Sequence, residues 1–233
     1  MTEAEWLTCD NPRPMLRYQS LTLLGLLRRL IGGRDRGRQR KLRLFACAGC
    51  RRIWHLFPND LPDETSRNRI EIAERFADGL AGVDELRTAC APYDFRLCFD
   101  ADGEPVAVAA AVLTTCYDSY LAASSVEVSL NIAAEIANPV AVATERTSLA
   151  PLLRCIFGNP FRPVTFNPAW RTSDLVALAR GIYEERAFDR MPILADALQD
   201  AGCDNDDILN HCRDTSTPHA RGCWVVDLVL EKK

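Results

Sequence analysis

From Leu42 the apolar positions Leu42, Phe45, Ala46, Gly49, Ile53 and Leu56 step by three and four, which lays one stripe along a helix. Pro58 closes that run. The spacing returns in Ile70, Ala73, Phe76, Ala77 and Leu80, with Glu71, Glu74 and Arg75 outward and Gly79 and Gly82 at the end. Asp63 or Thr65 suits its N-cap, because a short oxygen-bearing side chain accepts from unpaired first-turn N–H groups. Asp84 then opens a shorter helix that reaches Cys90. Two alanine-rich stripes follow. Val106, Ala110, Leu113, Tyr117 and Tyr120 make one; Val126, Leu130, Ala133 and Ala137 make the next, stopped near Pro139. Alanine favours helix and lets neighbouring helices approach closely.

Beyond Leu149 the pattern changes. Pro160, Pro163 and Pro168 forbid a continuous helix and favour extended backbone. Thr172 or Ser173 opens a helix with Leu175, Val176, Ala179, Ile182 and Tyr183 inward. Asp189 suits the cap of the next, which carries Ile193, Leu194, Ala197 and Leu198, and Gly202 suits its left-handed end. Asp204 starts a short turn of helix with Ile208 and Leu209. Trp224 to Leu230 is predicted helical, although Val225, Val226 and Val229 suit a strand equally well. The fold class predicted is all-α: a helical bundle over residues 1–146 and a smaller helical module over 147–233 with a proline-rich extended loop. The two either stand apart or pack as one unit.

Near the N-terminus, Asn11 to Pro14 sets a turn after a short first helix, and Gly32-Gly33 opens a charged, mobile link. Arginine is dense from Arg34 to Arg52, with Asp35 the local counter-charge. Such a run can neutralise phosphates. A net charge of −4 argues against a generic polyanion binder, so the arginines are expected to pair with Glu71, Glu74 and Asp78 instead. The longest oily run, Leu21 to Ile31, is too short to span a bilayer, which needs about 20 apolar residues. The first residues lack the order of a signal peptide, and a cytoplasmic location is the expectation.

Ten cysteines raise the question of disulfides. Cys47, Cys50, Cys90, Cys116 and Cys155 sit in apolar helical patterns, where free cysteine behaves as a small hydrophobe, so thiols are expected. Cys47-Ala-Gly-Cys50 has the spacing of a chelating or redox pair but lies in mid-helix with no strand before it, which favours packing. The denser group is Cys203, His211, Cys212, His219 and Cys223, spaced C-x7-H-C-x6-H-x3-C. Thiolate and imidazole suit zinc. That spacing is not a standard finger, and adjacent His211 and Cys212 would not reach one metal from a helix, so no cofactor is the expectation and zinc the exception the residues allow. Cys223, His219 and Asp227 also carry the residue types of a cysteine nucleophile, its base and an orienting carboxylate. P-loop, GxGxxG, HExxH and GxSxG patterns are absent.

The segments RKLRLFACAGCRRIWHLFP, LLRCIFGNPFRPV, ARGIYEERAFDRMPILADALQDAGC and HARGCWVVDLVL resemble a large family of uncharacterised bacterial proteins. The resemblance covers most of the chain and brings no reaction with it. The reading favoured from sequence is therefore a non-catalytic interaction or accessory protein with a protein partner. Phe161, Arg162, Phe166, Trp170 and Arg171 have the composition of an interface core, or else pin an extended segment onto its own module. The alternatives are a cysteine- or metal-dependent hydrolase centred on His219 and Cys223, and weak nucleic-acid binding through Arg34 to Arg52.

Overall fold

The computed structural model describes residues 1–21, 36–56, 64–90 and 139–232. The two alanine-rich stripes, the Gly32-Gly33 link, Arg34, Pro58 and Asp63 lie outside them. Every regular element among the described residues is helical. The helices are α1 (Glu3–Thr8), α2 (Pro12–Leu21), α3 (Arg36–Ile53), α4 (Glu64–Ala77), α5 (Val83–Cys90), α6 (Pro139–Phe157), α7 (Ser173–Glu185), α8 (Met191–Asp200), α9 (Asp206–Arg213) and α10 (Trp224–Val229). No helix among the described residues is long and apolar enough to cross a membrane. The chain divides into two compact units, one of Met1 and Cys9–Ala150, the other of Thr2–Thr8 and Pro151–Lys233.

In the first unit α3 packs on α4, and α4 on α5. Cys47, Cys50, Ile70, Ile72, Ala73 and Leu86 form one buried cluster there. Helix α3 starts at Arg36, inside the stretch expected to be a mobile link. The cause is charge pairing across the helix interface. The guanidinium of Arg40 meets Asp78 at 3.0 Å with both side chains nearly sealed (6% and 3% exposed). Arg51 donates to both oxygens of Glu74 and lies near Glu71, and Arg52 donates to Glu145. The expected pairing of this run with Glu71, Glu74 and Asp78 is thus present. Arginines placed on one helix against acids on the next make α3 longer than its apolar stripe predicts.

In the second unit one apolar core joins α6 to α10, with Leu175, Ile182, Leu194, Leu198, Ile208 and Val226 among its buried members. Thr172 caps α7 by accepting from the Leu175 N–H at 3.2 Å. Asp189 does not cap α8: it lies in a 3-10 turn, Phe188–Arg190, whose end runs straight into α8, so no side-chain cap is made. Gly202 ends α8 with φ +89°, and the Asn205 side chain, rather than Asp204, accepts from the Ile208 N–H to start α9. The closing segment is a helix, and α10 packs on α7 and α9. Arg171 fixes its far end by donating to the carbonyls of Leu228 and Val229.

Gly158 marks the start of the proline-rich loop. Its φ is +67°, and a Cβ there would come within 3.2 Å of the Trp224 ring. Gly158→Ala is expected to lower the melting temperature, through a left-handed backbone penalty of about 1–2 kcal/mol and the ring displaced by the methyl. Gly181→Ala is the control. That position lies within α7 with nothing within 4 Å of the added carbon. Alanine there should match or raise the parent's stability by about 0.5–1 kcal/mol, since glycine weakens a helix interior. Thermal denaturation of the two variants side by side checks the contrast.

Candidate metal centre

Four separate pieces of chain deliver the site. Helix α6 carries Cys155 on the side that also buries Leu152 and Ile156. Helix α9 turns Ile208, Leu209 and Cys212 into the core, which leaves His211, half-buried, on a different face. The loop after α9 is tied by Asp214, whose carboxylate accepts from the Ser216 N–H at 3.0 Å and from the hydroxyls of Ser216 and Thr217. Those hydrogen bonds hold the Asp214 carboxyl at about 2. The tied loop then brings His219 back towards α9. Gly222, with φ +89°, turns the chain once more, and Cys223 enters α10 as its N-cap residue.

One donor atom each from Cys155, His211, His219 and Cys223 converges so that all lie within 4.8 Å of one another. Nδ1 of His219 is 3.6 Å from Cys155 Sγ, and Nε2 of His211 is 3.3 Å from Cys223 Sγ. A tetrahedral zinc ion has Zn–S bonds of about 2.3 Å and Zn–N bonds of about 2.0–2.1 Å, so its ligand atoms stand about 3.3–3.8 Å apart. Both measured sulfur–nitrogen separations fall inside that band. The two thiols have no exposed surface. The imidazoles meet edge to face with ring centroids 4.9 Å apart, and the Trp224 ring stands 5.3 Å from His211.

Electrostatics split the two thiols. Burial pushes Cys155 up, and the neighbouring Cys223 sulfur pushes it further, well above the usual thiol range. Burial also opposes ionisation of Cys223, but a hydrogen bond from Cys155 and the adjacent imidazoles of His211 and His219 outweigh it. Cys223 is held well below the usual thiol range. Burial disfavours charge on His219 too, yet the Cys223 sulfur and Asp214 prevail and raise its pKa. Its Nε2 is buried without a hydrogen-bond partner. Two thiols and two imidazoles around one point form a soft donor set for a cation, provided Cys155 gives up its proton.

The sequence-predicted residues divide sharply. His211, His219 and Cys223 come together. Cys203 and Cys212 do not join them: both are core residues, and burial raises both thiols. Cys212 points away from the cluster because it is one helical step, about 100°, from His211. Cys155 is the fourth donor, and it was expected to be a packing residue. It stands in LLRCIF, 56 residues before His211, where nothing local marks it as a ligand. Asp227 is buried in α10, and the acid acting on His219 is Asp214. Cys47 and Cys50 pack in the α3–α4 interface, where burial pushes Cys50 up to about 12 and Cys47 well above its usual value.

The residues expected to form an interface core are mostly spent on their own module. Trp170 is buried, Phe166 meets it edge to face at 5.5 Å, and Arg171 covers Phe166 while holding α10. Arg162 is exposed and pairs with Glu3, and Phe161 is half-buried. No protein family, curated protein or solved structure matches this chain.

Proposed function

We propose that the second unit is a zinc-stapled, non-catalytic module of an accessory protein, with Cys155, His211, His219 and Cys223 as the four ligands. One observation carries the reading: two thiols and two imidazoles from four chain segments lie within 4.8 Å of one another. Paired thiolates and imidazoles select zinc over the oxygen-seeking cations magnesium and calcium. Four protein ligands fill the coordination sphere and leave no position for a reactive water, which separates structural from catalytic zinc. Zinc would join α6, α9 and α10 with the Asp214–Gly222 loop.

Protein purified without chelator should contain one zinc per chain by mass spectrometry of the metal, and a strong chelator should lower its melting temperature. Zinc-free protein that also takes up none on titration would overturn the reading. A second reading, a cysteine hydrolase, draws on the Cys223 thiolate and His211 at 3.3 Å. Rapid alkylation of Cys223 in the metal-replete protein would favour it. The sealed position of Cys223 argues for protection instead.

A further inference from the structure

The two sulfurs of the centre suggest a second property, which rests on the zinc reading of the same residues. We infer that the centre is redox-governed: an oxidant of the peroxide class joins Cys155 to Cys223 as a disulfide and expels the zinc.

The geometry supplies the pair. Both Sγ atoms belong to the cluster whose donor atoms all lie within 4.8 Å of one another. A disulfide needs the sulfurs at about 2.05 Å, so the bond forms by a closing shift of one side chain. Cys155 is fixed inside α6, whereas Cys223 sits at the junction between Gly222 and the short α10, where the backbone can give. The sulfurs themselves have no exposed surface and the two imidazoles beside them are half-buried, so only an oxidant as small as hydrogen peroxide suits the reaction.

Chemistry selects this pair over the other buried cysteines. Only a thiolate attacks peroxide at a useful rate. Zinc ligation would hold both Cys155 and Cys223 as thiolates, whereas Cys47, Cys50, Cys203 and Cys212 lie outside the donor cluster. In the first step the Cys223 thiolate attacks one peroxide oxygen, the O–O bond breaks, and Cys223 becomes a sulfenic acid as hydroxide leaves. In the second, the Cys155 thiolate attacks the Cys223 sulfur, the S–O bond breaks, and a second hydroxide leaves. Two sulfurs each lose one electron, and the two peroxide oxygens gain them. With both sulfurs joined, only the two imidazoles would remain to hold zinc, which would be released as the hydrated dication. A dithiol reductant and zinc restore the centre.

The test uses the full chain as purified, with its zinc content measured first. Hydrogen peroxide is added in stoichiometric steps. Released zinc is read with a chromogenic chelator, free thiols are counted, and unreduced peptides are mapped by mass spectrometry. The expected result is one zinc released for every two thiols lost, a Cys155–Cys223 linked peptide, and reversal by dithiothreitol with zinc. Cys212→Ala should respond identically. Zinc retained with unchanged thiols would overturn the inference, as would release through a Cys212–Cys223 link or through sulfinic acid alone. Absence of zinc before peroxide is added would instead overturn the zinc reading itself.

Discussion

Cys155→Ala, like Cys223→Ala, should abolish stoichiometric zinc binding and destabilise the second unit more than loss of either non-ligand cysteine of the same core. Structural zinc sites bind with apparent free energies of about 10–16 kcal/mol, comparable to the whole stability of a domain, about 5–15 kcal/mol. Loss of a partner that merely supports a ligand already costs about 10–100-fold in metal affinity, so loss of a thiolate ligand should exceed about 100-fold. Cys203→Ala and Cys212→Ala are the matched controls. Both positions are buried in the same core but stand outside the donor cluster. Each should cost about 1 kcal/mol, the scale for deleting one small buried group, and keep its zinc. Metal content and melting temperature of the three variants decide the matter. Equal zinc in all three would sink the assignment of Cys155.

Acidity should act in the same direction. Cys155 must lose its proton to bind metal, and burial beside the Cys223 sulfur holds that proton tightly. Zinc uptake therefore releases protons, and affinity falls as pH falls. Calorimetry in buffers of different ionisation enthalpy measures the protons released, and a pH-independent affinity would contradict the thiolate ligand set.

The candidate cluster was half legible because three of its donor atoms come from one short stretch. His211, His219 and Cys223 lie within thirteen positions, so residue type alone brings them forward. Cys203 and Cys212 enter for the same reason, and only the helical turn of α9 separates Cys212 from His211. Cys155 is hidden because a ligand cysteine on a buried helix has the same neighbours as a packing cysteine. Its role depends on a contact 64 residues away in sequence. The fold follows the same rule. Stripes, prolines and glycines mark the helices, since these act within one turn. The early start of α3 was not legible, because Arg40 is held in place by Asp78, 38 residues on. Nor was the place of α1, which belongs with residues 151–233 rather than with the helices that follow it.

That placement makes Trp6 the other side chain whose loss should be costly. Its surface is fully buried, although it stands in an acidic hexapeptide with no apolar stripe. The indole N–H donates to the Gly158 carbonyl at 3.2 Å, and Arg154 donates to the Trp6 carbonyl at 3.0 Å. Asn159 donates to Glu3 at 2.8 Å and pins the start of the same helix. Gly158 in turn lies against the Trp224 ring, which stands beside His211, so α1 sits at the end of a packed row leading to the candidate donor cluster. Trp6→Ala removes about 3–5 kcal/mol through lost burial and the cavity left behind. It also strips the Gly158 carbonyl of its donor, which adds about 1–3 kcal/mol if no water replaces it. At about 4–8 °C per kcal/mol for a domain of this size, the melting temperature should fall by more than about 10 °C. Leu7→Ala, on the half-exposed neighbour, should change it little. The four candidate ligands are untouched in both variants, so metal content measured at low temperature should match that of the parent. A Trp6→Ala protein that melts with the parent would mean that α1 is an appendage of the second unit, with no part in holding it together.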